Sequence, residues 1–280
     1  LPFDYTYNNR PTSQFICDSW QKLIIDKIET ENYDTKRFTL ILPDDDKPSG
    51  LPVSSYLNFK GYYNGNEIIK PYTPISDGGL RGLISFVIKI YPHKLNDEYI
   101  PKMSQYLQTL NDGDTIEVCG PFNKIEYPFK DKLNIVMICA GTGITPFIQI
   151  LKEMQMHREY DQRYVTLLNF NKTSEDIICQ AELMGFQQMF KDRIQIHNII
   201  EFPNNEQESN LWNQYSGFGR VNAELLQKYL PEPNDDLLIM TCGPPGFSVA
   251  LCGDKESYKN GKIGGLLHEC GYAYDMIHRF

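Results

Sequence analysis

From about Phe15 to Tyr127 the chain is a succession of short runs rich in aromatic and β-branched residues: Arg37–Leu42, Tyr56–Tyr62, Leu83–Tyr91 and Thr115–Val118. Turn clusters separate them at Pro43–Gly50, Asn64–Asn66 and Asp77–Gly79. Short strands punctuated by Gly, Pro, Asn and Asp, with few helices among them, predict an antiparallel β-barrel. One helix is expected to interrupt it, near Lys102–Leu110. At Leu133 the rhythm changes. Leu133–Cys139 is an apolar run of the kind a parallel strand needs when both its faces are covered. Phe147, Ile148, Ile150, Leu151 and Met154 then recur at helical spacing. Tyr164–Phe170, Ile194–Ile200 and Leu237–Thr241 read as further strands, Gln180–Phe190 and Asn222–Leu230 as helices. The pattern predicts two domains: an antiparallel β-barrel over residues 15–128, then an α/β doubly wound parallel sheet over residues 129–280, with the boundary near Tyr127–Lys132.

Composition narrows the function classes. A net charge of −9 argues against nucleic acid, whose phosphates call for a basic surface. The seven cysteines are scattered, odd in number and without a C-x-x-C pair, and no H-x-x-x-H spacing occurs. Neither a disulfide framework nor a metal site is expected, and a reducing compartment is. No stretch approaches the ~20 apolar residues that cross a bilayer. The chain opens at Leu1 rather than a methionine, which leaves room for an upstream membrane anchor.

Three segments carry candidate chemistry. Ala140-Gly141-Thr142-Gly143-Ile144-Thr145-Pro146 follows an apolar strand and opens a helix. Glycines let a backbone approach a pyrophosphate, and a helix start offers free N–H groups and positive potential. The alternative is a plain tight connection, but the flanking strand and helix favour a nucleotide site. Thr241-Cys242-Gly243-Pro244-Pro245 is a second turn at a strand end. In parallel sheets ligands gather outside those ends, so the two turns share an edge. The third is Lys70-Pro71-Tyr72-Thr73-Pro74-Ile75-Ser76, which combines a cation for phosphate, a flat ring for a planar cofactor and hydroxyls for its polar edge. Alone it would be an ordinary turn and strand.

Taken together, these segments resemble the NADH–cytochrome b5 reductase family, within the ferredoxin–NADP reductase fold, from about Ser19 to Phe280. Lys70–Ser76 is similar to its R-P-Y-T-P-[VI]-S signature, with lysine for arginine. Ile88-Lys89-Ile90-Tyr91 resembles its I-K-V-Y strand, Lys102-Met103-Ser104-Gln105-Tyr106-Leu107 its K-M-S-Q-Y-L, and Gly113–Ile116 with Gly120-Pro121 its G-D-x-I…G-P. Gly141–Pro146 and Cys242–Pro245 match G-T-G-I-T-P and C-G-P-P. The resemblance implies an FAD-binding barrel, an NAD-binding second domain, and hydride transfer from NADH to FAD followed by single-electron transfer to a haem protein, cytochrome b5 first among them. It implies catalytic roles for Thr73 and Cys242. For FAD it implies contacts from Lys70, Pro71, Tyr72, Thr73, Ser76, Ile88, Lys89, Tyr91, Lys102, Met103 and Ser104. For the dinucleotide it implies Gly141, Thr142, Gly143, Thr145, Cys242, Gly243, Pro244 and Pro245, with no metal. Glu201, following the strand Ile194–Ile200 with Pro203 and Trp212 beyond, is expected to bond ribose hydroxyls and select NADH.

The chain also departs from the family pattern. Ser54 and Tyr56 stand in place of a glycine and a histidine, Ile100-Pro101 replaces a glycine pair, and Ala140 replaces the first glycine of the loop. These changes motivate one alternative, a degenerate NAD(H)-binding regulatory protein with poor FAD occupancy; a second, a quinone reductase, stays open because the chain, at net charge −9, is acidic like cytochrome b5. Lys124, Lys130 and Lys132 form either a basic patch for an acceptor or a solvated face. A monomer is expected, on the cytoplasmic side of the endoplasmic reticulum or mitochondrial outer membrane if anchored, and otherwise in the cytoplasm.

Overall fold

The computed structural model describes residues 13–15, 19–76, 78–91, 102–123, 132–159, 161–203 and 217–280. Ile100, Pro101, Lys124, Tyr127, Lys130, Trp212 and Asp77, named above, lie outside these residues, as does one of the seven cysteines, Cys17. The chain divides into two compact units: Leu1–Pro128 with Ile148–Tyr160, and Phe129–Phe147 with Asp161–Phe280.

The first unit is built on six strands: β1 (Gln21–Asn32), β2 (Thr35–Ile41), β3 (Ser55–Tyr63), β4 (Asn66–Tyr72), β5 (Leu83–Lys89) and β6 (Thr115–Asn123). Their order is β4-β3-β6-β1-β2-β5, with every pairing antiparallel. Period-two alternation turns Phe38 and Leu40, Leu57 and Phe59, Ile84, Phe86 and Ile88, and Ile116 and Val118 into one core. At its centre the rings of Phe59 and Phe86 meet edge to face with centroids 4.7 Å apart. Past β4 the Ile75 N–H donates to the Ser85 carbonyl of β5 at 2.8 Å. The chain leaving one edge strand thus bonds the other edge, and the sheet curls into the expected barrel. The interrupting helix, α1 (Lys102–Gln108), packs on β3 and β4. It can do so because residue 61 is glycine: a Cβ there would lie 2.3 Å from the Tyr106 ring. Three differences from the sequence reading stand out. β1 and β4 are absent from it, and the strand read as Thr115–Val118 runs on to Asn123.

The second unit holds β7 (Asn134–Ala140), β8 (Tyr164–Asn171), β9 (Ile194–Ile200), β10 (Gly217–Phe218), β11 (Leu237–Cys242) and β12 (Ile277–Arg279), ordered β10-β9-β8-β7-β11-β12 and wholly parallel. The central strands are buried, β7 from Ile135 to Cys139 and β11 from Leu237 to Thr241, and apolar there except at Thr241. β7 is followed by α2 (Thr145–Met156), which belongs to the first unit from Ile148 onward, and the connecting helices of the second unit include α3 (Gln180–Met189), α4 (Ala223–Tyr229) and α5 (Pro245–Cys252). Val136, Ile138, Leu168, Ile239, Leu226 and Leu251 share one core on the α4 and α5 side. No helix among the described residues is long and apolar enough to cross a membrane, and no group of three metal-binding side chains occurs among them.

Candidate functional site

In the second unit, the glycine loop follows β7 and the Cys-Gly-Pro-Pro turn follows β11, the strand hydrogen-bonded beside it. Gly141 takes a left-handed φ of 55°, the 3-10 turn Gly141–Ile144 follows, and Thr145 Oγ1 donates to the Thr142 carbonyl at 3.1 Å before α2 runs on. Gly143 is required by contact: a Cβ there would sit 2.2 Å from the Cys242 carbonyl oxygen. The two turns therefore touch, backbone on backbone, as only glycine permits. Pro245 begins α5, where its missing N–H costs nothing. The Ser248 N–H bonds the Pro244 carbonyl at 3.0 Å and its Oγ donates to Gly243 O at 3.3 Å. Two helix starts thus open beside adjacent strand ends, where the helix dipole favours a phosphate. Cys242 and Gly243 are half-buried; Pro244 and Pro245 are exposed.

Glu201 follows β9, two strands from β7 and so roughly 10 Å along the same edge. Its Oε1 is held by Arg220 Nε, just past β10. Arg220 was not anticipated from sequence: it is separated from its partner by a stretch without periodic signal, and only the pairing of β10 with β9 brings the two together.

In the first unit, Lys70, Pro71 and Tyr72 end β4, an edge strand, which is where a proline lacking its N–H can sit. Lys70 and Pro71 are exposed; Tyr72 and Thr73 are half-buried. The Tyr72 ring rests on Phe59 with centroids 4.9 Å apart. Ser76 Oγ accepts the Ser85 N–H at 3.2 Å. Lys102 opens α1, where Met103 and Ser104 are buried, and Tyr72 packs against the core that includes Met103. The structure therefore brings the Lys70–Ser76 segment and the Lys102–Ser104 segment together on one core. Ile88 belongs to the same core, and Tyr91 is exposed beyond β5. Lys89 is turned elsewhere: its Nζ pairs with Asp34 at 2.7 Å, which leaves its main chain, rather than its charge, for a cofactor.

Ser54 shows what a departure from the family pattern does locally. It is buried at φ 66°, its N–H donates to Gln149 Oε1 at 2.7 Å, and its hydroxyl has no hydrogen-bond partner among the described residues. A glycine would take that conformation without strain.

The first unit offers an exposed lysine, a half-buried aromatic ring packed against the core, and hydroxyls, which fits a flat anionic flavin dinucleotide. The second offers two glycine turns beside helix starts, which fits a nicotinamide dinucleotide. The class so defined is a two-domain flavin- and nicotinamide-dependent oxidoreductase. Residues 22–127 match the family model described as "Oxidoreductase FAD-binding domain" and residues 137–253 that described as "Oxidoreductase NAD-binding domain". The chain is 33% identical over 265 residues to "NADH-cytochrome b5 reductase 2" of Neurospora crassa, covering 93% of this chain and 73% of that protein. To the protein of the same name in Kluyveromyces lactis it is 32% identical over 283 residues, covering 100% and 90%. Among solved structures, the cytochrome b5 reductase domain of Ulva prolifera nitrate reductase shares the fold, with a TM-score of 0.80 at 23% identity, covering 96% of this chain and 100% of that one. The chain belongs to the NADH–cytochrome b5 reductase family.

Proposed function

We propose that this protein takes a hydride from NADH and passes the electrons singly to cytochrome b5, with FAD between them. Bound FAD supplies the conversion, accepting two electrons together and giving them up one at a time. The protein's part is to bind, align and exclude water. Lys70 and the start of α1 hold the FAD diphosphate; Tyr72 offers its ring, and Thr73 a half-buried hydroxyl. Ser76 Oγ already accepts the Ser85 N–H, so its own hydrogen is left to donate to a ligand acceptor. In the second unit, Thr145 spends its hydroxyl hydrogen on Thr142 and keeps an oxygen lone pair for the ligand. Gly141, Thr142, Gly143 and Gly243 let the backbone reach a pyrophosphate, while the Cys242 thiol lies at the strand end next to them.

The observation that carries this reading is the shared core of Tyr72 and Met103, which joins the two FAD-contacting segments. The NAD(H)-binding regulatory alternative is disfavoured by the match of residues 22–127 to an FAD-binding family. The test is optical: the purified protein is expected to be yellow, to bleach with NADH under anaerobic conditions, and then to reduce cytochrome b5 faster than a quinone. A colourless protein that takes up no added FAD would end the enzyme reading, and a preference for quinone would replace the acceptor. A monomer held at the cytoplasmic face of an intracellular membrane by an upstream anchor completes the proposal; sizing and fractionation of the native protein test it.

A further inference from the structure

Cys139 and Cys242 stand side by side in register on the adjacent parallel strands β7 and β11. Neighbours so paired point to the same face, and strands lie about 4.8 Å apart, inside the Cα separation of roughly 4.4–6.8 Å that a disulfide spans. Their row continues across the sheet. Cys139 pairs with Asn169 and Asn169 with Asn198; Asn169 Nδ2 donates to Asn198 Oδ1 at 2.9 Å, which fixes Asn169 Oδ1 as the acceptor of the Cys139 S–H at 3.4 Å. With its hydrogen directed to Asn169, the Cys139 sulfur keeps its lone pairs for the opposite side, where Cys242 stands. Burial, and then the neighbouring Cys242, push the Cys139 thiol well above its usual range, so it is no first point of attack. Cys242, half-buried at the strand end, is. All six described cysteines, these two included, are thiols.

We propose that Cys139 and Cys242 form a peroxide-sensitive thiol pair that closes to a disulfide beneath the glycine loop. The oxidant is a peroxide. The Cys242 sulfur attacks one peroxide oxygen, the O–O bond breaks, and Cys242 sulfenic acid and water are produced. The Cys139 sulfur then attacks the sulfenic sulfur; the S–S bond forms, the S–O bond breaks, and the hydroxyl leaves with the Cys139 proton as a second water. Two thiols are oxidised by two electrons and one peroxide is reduced to two waters. Because Gly143 rests on the Cys242 carbonyl, the cross-link acts on the nucleotide loop itself; its effect on turnover rests on the function proposed above.

The flavin-loaded protein is treated with graded hydrogen peroxide, alkylated, digested and mapped by mass spectrometry. The expected result is a peptide linked through Cys139 and Cys242 and the loss of two alkylatable thiols, restored by dithiothreitol, with NADH oxidation falling and recovering in step. Cys139→Ala is expected to start at the activity of the parent protein, to form no such link, and to stop at over-oxidised Cys242 that dithiothreitol does not restore. Unlinked Cys139 after Cys242 has been oxidised, or identical reversibility in the parent protein and Cys139→Ala, overturns the pair. Should Cys139→Ala fold poorly, the peptide map of the parent protein decides alone. A mapped link in a protein that never oxidises NADH would instead count against the enzyme reading and leave the pair standing.

Discussion

At the scale of single residues, two positions show the chain carrying less suitable side chains than its family pattern. Ser54 holds a left-handed backbone and a buried hydroxyl without a hydrogen-bond partner among the described residues. The strain and the unsatisfied group each cost about 1 kcal/mol or more, and a glycine gives back part of that through its freer unfolded chain. Ser54→Gly is therefore expected to stabilise by about 1 kcal/mol, read as a higher urea midpoint with unchanged slope. Lys70 is exposed on its edge strand, where an ammonium makes a hydrated point contact and a guanidinium would donate two aligned bonds to phosphate. Lys70→Arg should tighten FAD by on the order of 1 kcal/mol, about fivefold in Kd, and more at low salt. Equal or weaker binding in an FAD titration of the apoprotein would remove Lys70 from the diphosphate site.

At the scale of elements, the pairing of β10 with β9 puts Arg220 on Glu201, and this bears on nucleotide choice. Glu201 is expected to favour NADH, since a carboxylate bonds ribose hydroxyls and repels a 2′-phosphate. Removing it frees a guanidinium in the same place. Glu201→Ala should raise the specificity constant for NADPH about tenfold, and adding Arg220→Ala should cancel that gain. The Arg220 side chain is 81% exposed, so losing this pair should barely alter folding. On β9 itself, burial and then Lys228 lower the pKa of His197, whose ring lies 4.2 Å from that of Tyr229. The folded state resists the proton that the unfolded chain accepts. The contribution of His197 is therefore intact above about pH 6.5 and lost as pH falls below it towards the lowered folded value. His197→Gln should lose less stability between neutral and mildly acidic pH than the parent protein does, as measured by denaturant titration. These elements were not equally legible in the sequence. β7 and β11 announce themselves as apolar runs because both faces are covered. β1 does not: it is central in its sheet, yet only Leu23 and Ile25 are buried, and a register shift between Ile25 and Lys27 breaks the alternation. The glycine loop and the Cys-Gly-Pro-Pro turn were visible as motifs. The Cys139–Cys242 and Glu201–Arg220 neighbourhoods arise from strand order, which no local pattern encodes.

At the scale of the whole molecule, each unit has its own sheet and core, but their membership does not follow the chain. The sequence changes character near Tyr127–Lys132, whereas residues 148–160 belong with the first unit. There Gln149, buried on α2, accepts the Ser54 N–H at 2.7 Å and donates to the Ser55 carbonyl at 3.4 Å. A chain ended at Pro128 loses both partners, and a single stranded buried donor costs about 1–3 kcal/mol. Such a fragment should be cut faster by proteases than the same residues in the full chain and should hold FAD less tightly; equal resistance and equal affinity would contradict this. The consequence reaches recombination. The two family matches suggest exchangeable cassettes, yet a chimera joined between them would graft a foreign α2 onto the native barrel. Crossovers should succeed only when the incoming half brings a residue that can answer Ser54 as Gln149 does, so compatibility between halves is decided by a short stretch of helix well downstream of the seam.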